Sequence, residues 1–116
     1  MVVGYGLADE DVNRIFQALA DRTRRDILSR AIEREQSVSE VARHYEMSFA
    51  AVQKHVAVLE RAELIVKQPR GREQLVHANR SAIARAIALL DQYEQLWVDR
   101  ATEIAAILDS EQGDRR

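Results

Sequence analysis

The stretch SVSEVARHYEMSFAAVQKHVAVLER, Ser37 to Arg61, decides how the rest of the chain folds. Ser37 followed three residues later by Glu40 is a capping box, in which the Ser oxygen and the Glu carboxylate satisfy free backbone N–H groups at a helix start. Val38, Val41, Ala42 and Tyr45 then recur at helical spacing and give one apolar stripe. Glu46 and Met47 break the pattern, and Ser48 is a good N-cap for a second helix. In that helix Val52, Val56 and Leu59 share one face at i, i+4 and i+7. The opposite face of its first two turns carries Ser48, Phe49, Ala50, Gln53 and Lys54. Small and hydrogen-bonding residues there suit a helix that enters a groove about as wide as itself.

Two such helices around a tight turn match the helix-turn-helix, whose second helix presents its N-terminal residues to base edges. The same pattern occurs in proteins that never touch DNA, so the residues that follow decide. Leu64-Ile-Val-Lys-Gln-Pro69 changes period, is rich in β-branched residues and predicts a strand. Pro69-Arg70-Gly71-Arg72 is turn chemistry, and Glu73-Gln-Leu-Val-His77 predicts the returning strand. A hairpin directly behind a helix-turn-helix makes a winged helix. Its tip arginines, Arg70 and Arg72, can reach backbone phosphates or a narrow minor groove. In an ordinary exposed turn the same two side chains are simply solvated.

Working outward, Met1 to Ala8 read as a loose arm with Gly4 and Gly6. Asp9, Glu10 and Asp11 suit the positive end of a first helix, with Val12, Ile15, Phe16 and Leu19 along one face. Asp21 predicts the N-cap of a second helix carrying Ile27, Leu28, Ala31 and Ile32. The bases Arg22, Arg24 and Arg25 near its start read mainly as a solvated face, with one or two in reach of phosphate. After the hairpin, Asn79 or Ser81 can cap a last helix of about 28 residues. Its apolar positions include Ile83, Ile87, Leu90, Trp97, Ile104 and Leu108, widened by Ala86, Leu89, Tyr93, Leu96 and Ile107. That is more apolar surface than one small domain covers, which predicts a second chain against it. Two-fold pairing would place two recognition helices about 34–36 Å apart, one turn of a palindromic site. The expected fold is mainly α with a small β-hairpin, in the order ααααββα, dimeric through its first and last helices. The expected division is a flexible arm over 1–8, one domain for DNA binding and dimerisation over 9–109 and a flexible, polar tail over 110–116.

At 116 residues the chain is long enough for one modest core. With 47% hydrophobic and 31% charged residues it is ordinary for a soluble fold. No apolar run approaches the roughly 18 residues of a membrane span and no signal-peptide pattern is visible, so the expected place is the cytoplasm. There are no cysteines, which excludes disulfides and thiolate metal sites. The net charge of -2 hides an uneven distribution. From Ser37 to Arg80 seven bases meet five acids, leaving +2, whereas from Ser81 onward four bases meet seven acids, leaving -3. Local basic patches set phosphate contacts, and acidic ends limit nonspecific adhesion. Nothing resembles a nucleophile elbow, a phosphate-binding glycine loop or a His–carboxylate pair at a telling spacing, so no enzyme is expected.

With these elements placed, the chain resembles the ArsR/SmtB family of small dimeric bacterial repressors over roughly Ile15 to Leu108. Ala18-Leu-Ala-Asp-Arg-Thr-Arg-Arg-Asp-Ile-Leu28 is similar to the family's signature, with Arg22 where proline is usual. Ser48-Phe-Ala-Ala-Val-Gln-Lys-His-Val-Ala-Val-Leu59 matches its recognition helix, and Arg70-Gly-Arg72 with His77 its wing. Glu63 stands where the family has glycine before the first wing strand. The resemblance implies that Ser48, Phe49, Ala50, Gln53 and Lys54 face the major groove, with Gln53 suited to adenine and Lys54 to guanine or phosphate. It places His55 near the DNA backbone or in helix packing. Val12, Ile15, Phe16, Leu90, Tyr93, Trp97, Ile104 and Leu108 are the expected dimer residues.

The family's sensing residues do not carry over. Ser37 and Ser39 occupy the places of its metal-binding cysteines, and the last helix holds Asp91, Glu94, Asp99 and Glu103 but no histidine. Scattered carboxylates do not replace thiolate and imidazole as selective ligands. The chain therefore resembles the branch without sensor sites, whose long helix carries an aromatic pair like Tyr93 and Trp97. The expected function is a homodimeric DNA-binding repressor with no metal and no cofactor, and the resemblance to that branch implies repression of its own operon. Its partners are a palindromic double-stranded operator and a second copy, without a membrane. A winged-helix module that binds protein, and a repressor released by an unidentified small molecule or metal, are the alternatives.

Overall fold

The computed structural model describes residues 9–114. The arm expected over Met1–Ala8 lies outside them, as do Arg115 and Arg116. The elements run α1 (Asp9–Leu19), α2 (Arg22–Glu33), β1 (Gln36–Ser37), α3 (Val38–Ala42), α4 (Phe49–Arg61), β2 (Ile65–Arg70), β3 (Glu73–Ala78) and α5 (Arg80–Asp114). The chain divides into two units, one ending at Ala86 and one beginning at Ile87.

Helices α2, α3 and α4 each begin where a side chain closes free N–H groups. Asp21 accepts from Arg24 N at 3.0 Å to start α2, and Ser48 accepts from Ala51 N at 3.1 Å to start α4. Ser37 and Glu40 form the expected reciprocal box, at 3.1 and 3.3 Å. Each such cap stabilises its helix by about 1 kcal/mol. Asn79 Oδ1 accepts from Ser81 N at 3.2 Å beside the first turn of α5. Ile15, Ile27, Val41, Val52, Val56, Leu59, Leu64, Ile65 and Val76 close one core among the first four helices and the sheet.

The hairpin is present with the two-residue turn Gly71–Arg72, in register from Ile65↔Ala78 to Arg70↔Glu73. Gly71 has φ +62 while Arg72 does not enter the left-handed region. A positive φ at the first central residue alone is the type II′ pattern, whose twist matches the paired strands. The sheet has a third strand that the sequence reading lacks: β1 pairs antiparallel with the outer edge of β3, Gln36 opposite Val76 and Ser37 opposite Leu75. Two residues are too few to show a period. Both are polar yet buried, because pairing satisfies their backbone and Gln36 Nε2 donates to Arg30 O at 3.0 Å.

Helix α4 ends in a Schellman motif. Leu64 N donates to Leu59 O at 3.0 Å and Glu63 N to Glu60 O at 2.9 Å, which requires Glu63 to be left-handed, at φ 61. Buried Leu59 and Leu64 form the apolar pair that accompanies this motif. The polypeptide thus turns sharply from α4 into the wing.

The second unit is the remainder of α5. This helix spans 35 residues, not the roughly 28 expected, and continues through the polar tail to Asp114. Asp109, Ser110, Glu111 and Gln112 are polar but do not break a helix, so loss of the apolar stripe does not mark its end.

Candidate nucleic-acid interface

Helix α4 is seated by its buried stripe: Val52, Val56 and Leu59 are within 1% of full burial. Its other side is thereby held outward. Ser48, Phe49, Ala50, Gln53 and Lys54 are all exposed, as expected for one face. Ser48 also serves as the N-cap, so its oxygen is engaged while its hydroxyl proton stays available. Across from this face stands the wing. Val38, Ser39, Phe49, Gln53, Val56, Lys67, Arg72, Glu73 and Gln74 line one groove of about 330 Å³ between helix and hairpin. The groove therefore joins Phe49 and Gln53 to the wing-tip Arg72.

The other predicted residues have different surroundings. His55 is half-buried, and its Nδ1 lies 3.3 Å from Arg24 Nη1. A guanidinium only donates, so Nδ1 accepts and Nε2 carries the ring proton. His55 thus packs α4 against Arg24 of α2. Arg70 reaches Glu35 at 3.4 Å, and the other Glu35 oxygen lies 3.0 Å from His77 Nδ1. His77 Nε2 lies 2.9 Å from the Gln68 side chain. Glu35, in the connection between α2 and β1, therefore holds both strands of the wing. Lys67 pairs with Glu60 at 3.5 Å. Among the described residues, Arg72 and Lys54 have neither an ion pair nor a side-chain hydrogen bond.

The arginines at the start of α2 depart most from a solvated face. Arg24 donates from Nε to Ala18 O at 2.9 Å and from Nη2 to Gln17 O at 2.8 Å, and Arg25 donates to Leu19 O at 2.7 Å. Both thus close the carbonyl end of α1. The sequence carried the signal: the last turn of α1 has no basic residue of its own, so its free carbonyls need donors from beyond. The Arg24 backbone N–H, aided by its guanidinium, holds Asp21 below the ordinary carboxylate range.

A second tie fixes the turn before α4. Tyr45 Oη donates to Asp26 Oδ2, to which Arg30 Nε also donates at 2.9 Å, and Arg30 lies over the Tyr45 ring. The Tyr45 bond, followed by that of Arg30, lowers the Asp26 carboxyl. Burial, then the hydrogen bond to Asp26, pushes the Tyr45 phenol up to about 12.

Of the residues expected at a dimer interface, Ile15 is only 3% exposed and belongs to the core of its own subunit. A side chain so enclosed has almost no area left to give. Val12 and Phe16 are half-buried, while Leu90, Tyr93, Trp97, Ile104 and Leu108 are exposed, Trp97 by 75%. Among the described residues, no group of three or more His, Asp and Glu is placed to hold a metal ion. No helix among them is long and apolar enough to cross a membrane.

Known proteins with these features share the architecture. A family described as a helix-turn-helix domain matches residues 14–68. The HTH-type transcriptional regulator Rv2034 of Mycobacterium tuberculosis is 34% identical over 102 residues, spanning 88% of this chain and 92% of its own. The crystal structure of the ArsR family transcriptional regulator RHA00566 superposes with a TM-score of 0.74 at 33% identity, covering 78% of this chain and 94% of its own. An ArsR-like transcriptional regulator from Rhodococcus sp. RHA1 gives 0.75 at 28% identity, covering 84% and 92%. These likenesses extend well past the helix-turn-helix, across wing and flanking helices alike. The chain therefore belongs to the ArsR family of winged helix-turn-helix transcriptional regulators.

Proposed function

We propose that the chain is a homodimeric, metal-independent repressor that acts by occupying promoter DNA and not by catalysis. The observation that carries this reading is the groove shared by α4 and the wing. It brings Phe49 and Gln53 beside Arg72, which has no ion pair among the described residues, with Ser48, Ala50 and Lys54 on the same exposed face. In this reading the first two turns of α4 enter the major groove, where Gln53 pairs with adenine and Lys54 with guanine or phosphate. Arg72, and Arg70 once released from Glu35, neutralise flanking phosphates. His55 contributes indirectly by fixing α4 against Arg24.

The exposed apolar residues Leu90, Tyr93, Trp97, Ile104 and Leu108 support pairing with a second copy, which would match two recognition helices to a palindromic operator. Val12 and Phe16 supply the smaller share from α1. A protein with these partners works in the cytoplasm. The absence of cysteine and of histidine on α5 supports control without a resident metal or cofactor.

Fluorescence anisotropy of the purified protein on the upstream region of its own gene tests this, at two salt concentrations and against an unrelated duplex. Tight, salt-sensitive and selective binding without added metal is the expected result. Binding to neither duplex by a folded dimer, or binding only after zinc, nickel or arsenite is added, would overturn it.

A further inference from the structure

Phe49 is a large apolar side chain left 47% exposed on the first turn of α4. The core is complete without it: Val52, Val56 and Leu59 form the buried stripe of that helix, and Phe49 is not among the residues packed on it. Beside it on the exposed face stand Ser48, Ala50 and Gln53, and the groove it lines has Val38 and Val56 on the side of the core and Lys67, Arg72, Glu73 and Gln74 on the side of the wing. Every edge group that bases offer in the major groove is a hydrogen-bond donor or acceptor, save one. The exception is the C5-methyl group of thymine. An aromatic ring set among donors in that groove can gain affinity from a base edge only there, by removing the methyl and the ring from water together.

We propose that Phe49 is a specificity-determining residue that reads the thymine C5-methyl. The inference rests on the DNA-binding reading above and adds to it the base feature recognised. Gln53, one turn further along the same face, then reads hydrogen bonds at a neighbouring pair, so apolar and polar readout sit side by side on α4.

Uracil pairs with adenine as thymine does and lacks only the methyl, which gives a direct test. A duplex recovered by the full-length protein from a random-sequence pool is synthesised with thymine and again with deoxyuridine. Each form is titrated with the wild type, Phe49→Ala and Phe49→Leu. The wild type is expected to favour the thymine duplex by about fourfold for each contacted methyl. Phe49→Ala should bind both forms alike, and Phe49→Leu, still apolar, should keep part of the preference. Circular dichroism of the variants should match the parent, because the side chain lies outside the core. Equal binding of the two duplexes by the wild type overturns the inference, as does a full thymine preference retained by Phe49→Ala. A pool from which nothing is enriched over unrelated DNA removes the DNA-binding reading itself, and this inference with it.

Discussion

Two clusters of arginine look alike in the sequence and end in opposite states. Arg22, Arg24 and Arg25 open α2, and two of the three are consumed inside the subunit by the carbonyl end of α1. Arg70 and Arg72 flank the wing turn, where Arg70 is shared with Glu35 and Arg72 has no partner among the described residues. The number of positive charges does not separate the clusters. What separates them is whether unsatisfied acceptors lie within reach: a helix end beside the first cluster, solvent and one carboxylate beside the second. The first cluster therefore belongs to stability, and the second is left for the binding role proposed above.

The comparison breaks most visibly if Arg24 is removed. Arg24→Ala deletes donors to two carbonyls and to His55, at a side chain only 18% exposed. We expect a loss of about 2–3 kcal/mol in urea unfolding, since acceptors left without partners cost more than the bonds themselves. Arg24→Lys keeps the charge but not the planar fork, so it should recover less than half of that loss. A variant as stable as the parent would show that charge alone, not the fork, matters here.

The wing should respond in the opposite way. Arg72→Ala is expected to leave stability within about 0.5 kcal/mol and to weaken DNA binding by roughly 1 kcal/mol, with a salt slope shallower by about one. Arg70→Ala should have a smaller effect, because Arg70 must leave Glu35 to reach phosphate. Glu35→Gln would then tighten binding modestly. If Arg70→Ala proved the more damaging of the two wing variants, the roles assigned to the arginines would be reversed.

Acid titration sharpens the contrast through Asp21. Its carboxyl is held below the ordinary value by the Arg24 backbone N–H and side chain. A carboxylate with a depressed folded-state pKa contributes stability above its unfolded value, near 3.9, and loses it as pH falls through the lower folded value. Stability measured below about pH 4 should therefore fall less steeply in Asp21→Asn than in the parent. Substitutions at Arg72 should leave that acid limb unchanged. Tyr45 gives the alkaline counterpart: its phenol is raised, so its contribution is intact below about pH 10 and is lost as pH rises toward about 12.

Much of this is legible in the sequence alone. The capping box at Ser37, the caps at Asp21 and Ser48, and the Gly71 turn are local chemistry, and local chemistry is written in short motifs. The exposed face of α4 followed from its buried stripe, because a 3.6-residue period fixes one side when it fixes the other. What was hidden depends on partners distant in the sequence. The strand β1 exists only through β3, Arg70 is held by a carboxylate 35 positions earlier, and Tyr45 by one 19 positions earlier. Ile15 shared a stripe with Val12 and Phe16, and a stripe alone does not say which of its members face the subunit's own core and which a second chain.

Glu63 before the wing and Gly71 at its turn, the two left-handed positions among the described residues, carry the smallest and most controlled test. Gly71 has the residue its φ of +62 favours, whereas Glu63 adopts φ 61 against the preference of any side chain with a Cβ. At Gly71 an added Cβ would meet nothing within 4 Å, so only backbone strain opposes Gly71→Ala. That variant should lose about 1 kcal/mol. Glu63→Gly should do the reverse. It relieves about 1 kcal/mol of strain at the Schellman position and gives up an exposed pair with Arg85 at 3.1 Å, worth a few tenths at most. Glycine's greater freedom in the unfolded chain removes part of the rest, which leaves a gain of about 0.5 kcal/mol in urea unfolding. A loss instead would mean that the Glu63–Arg85 pair, reaching from the end of α4 to α5, holds the start of the wing more firmly than its exposure implies.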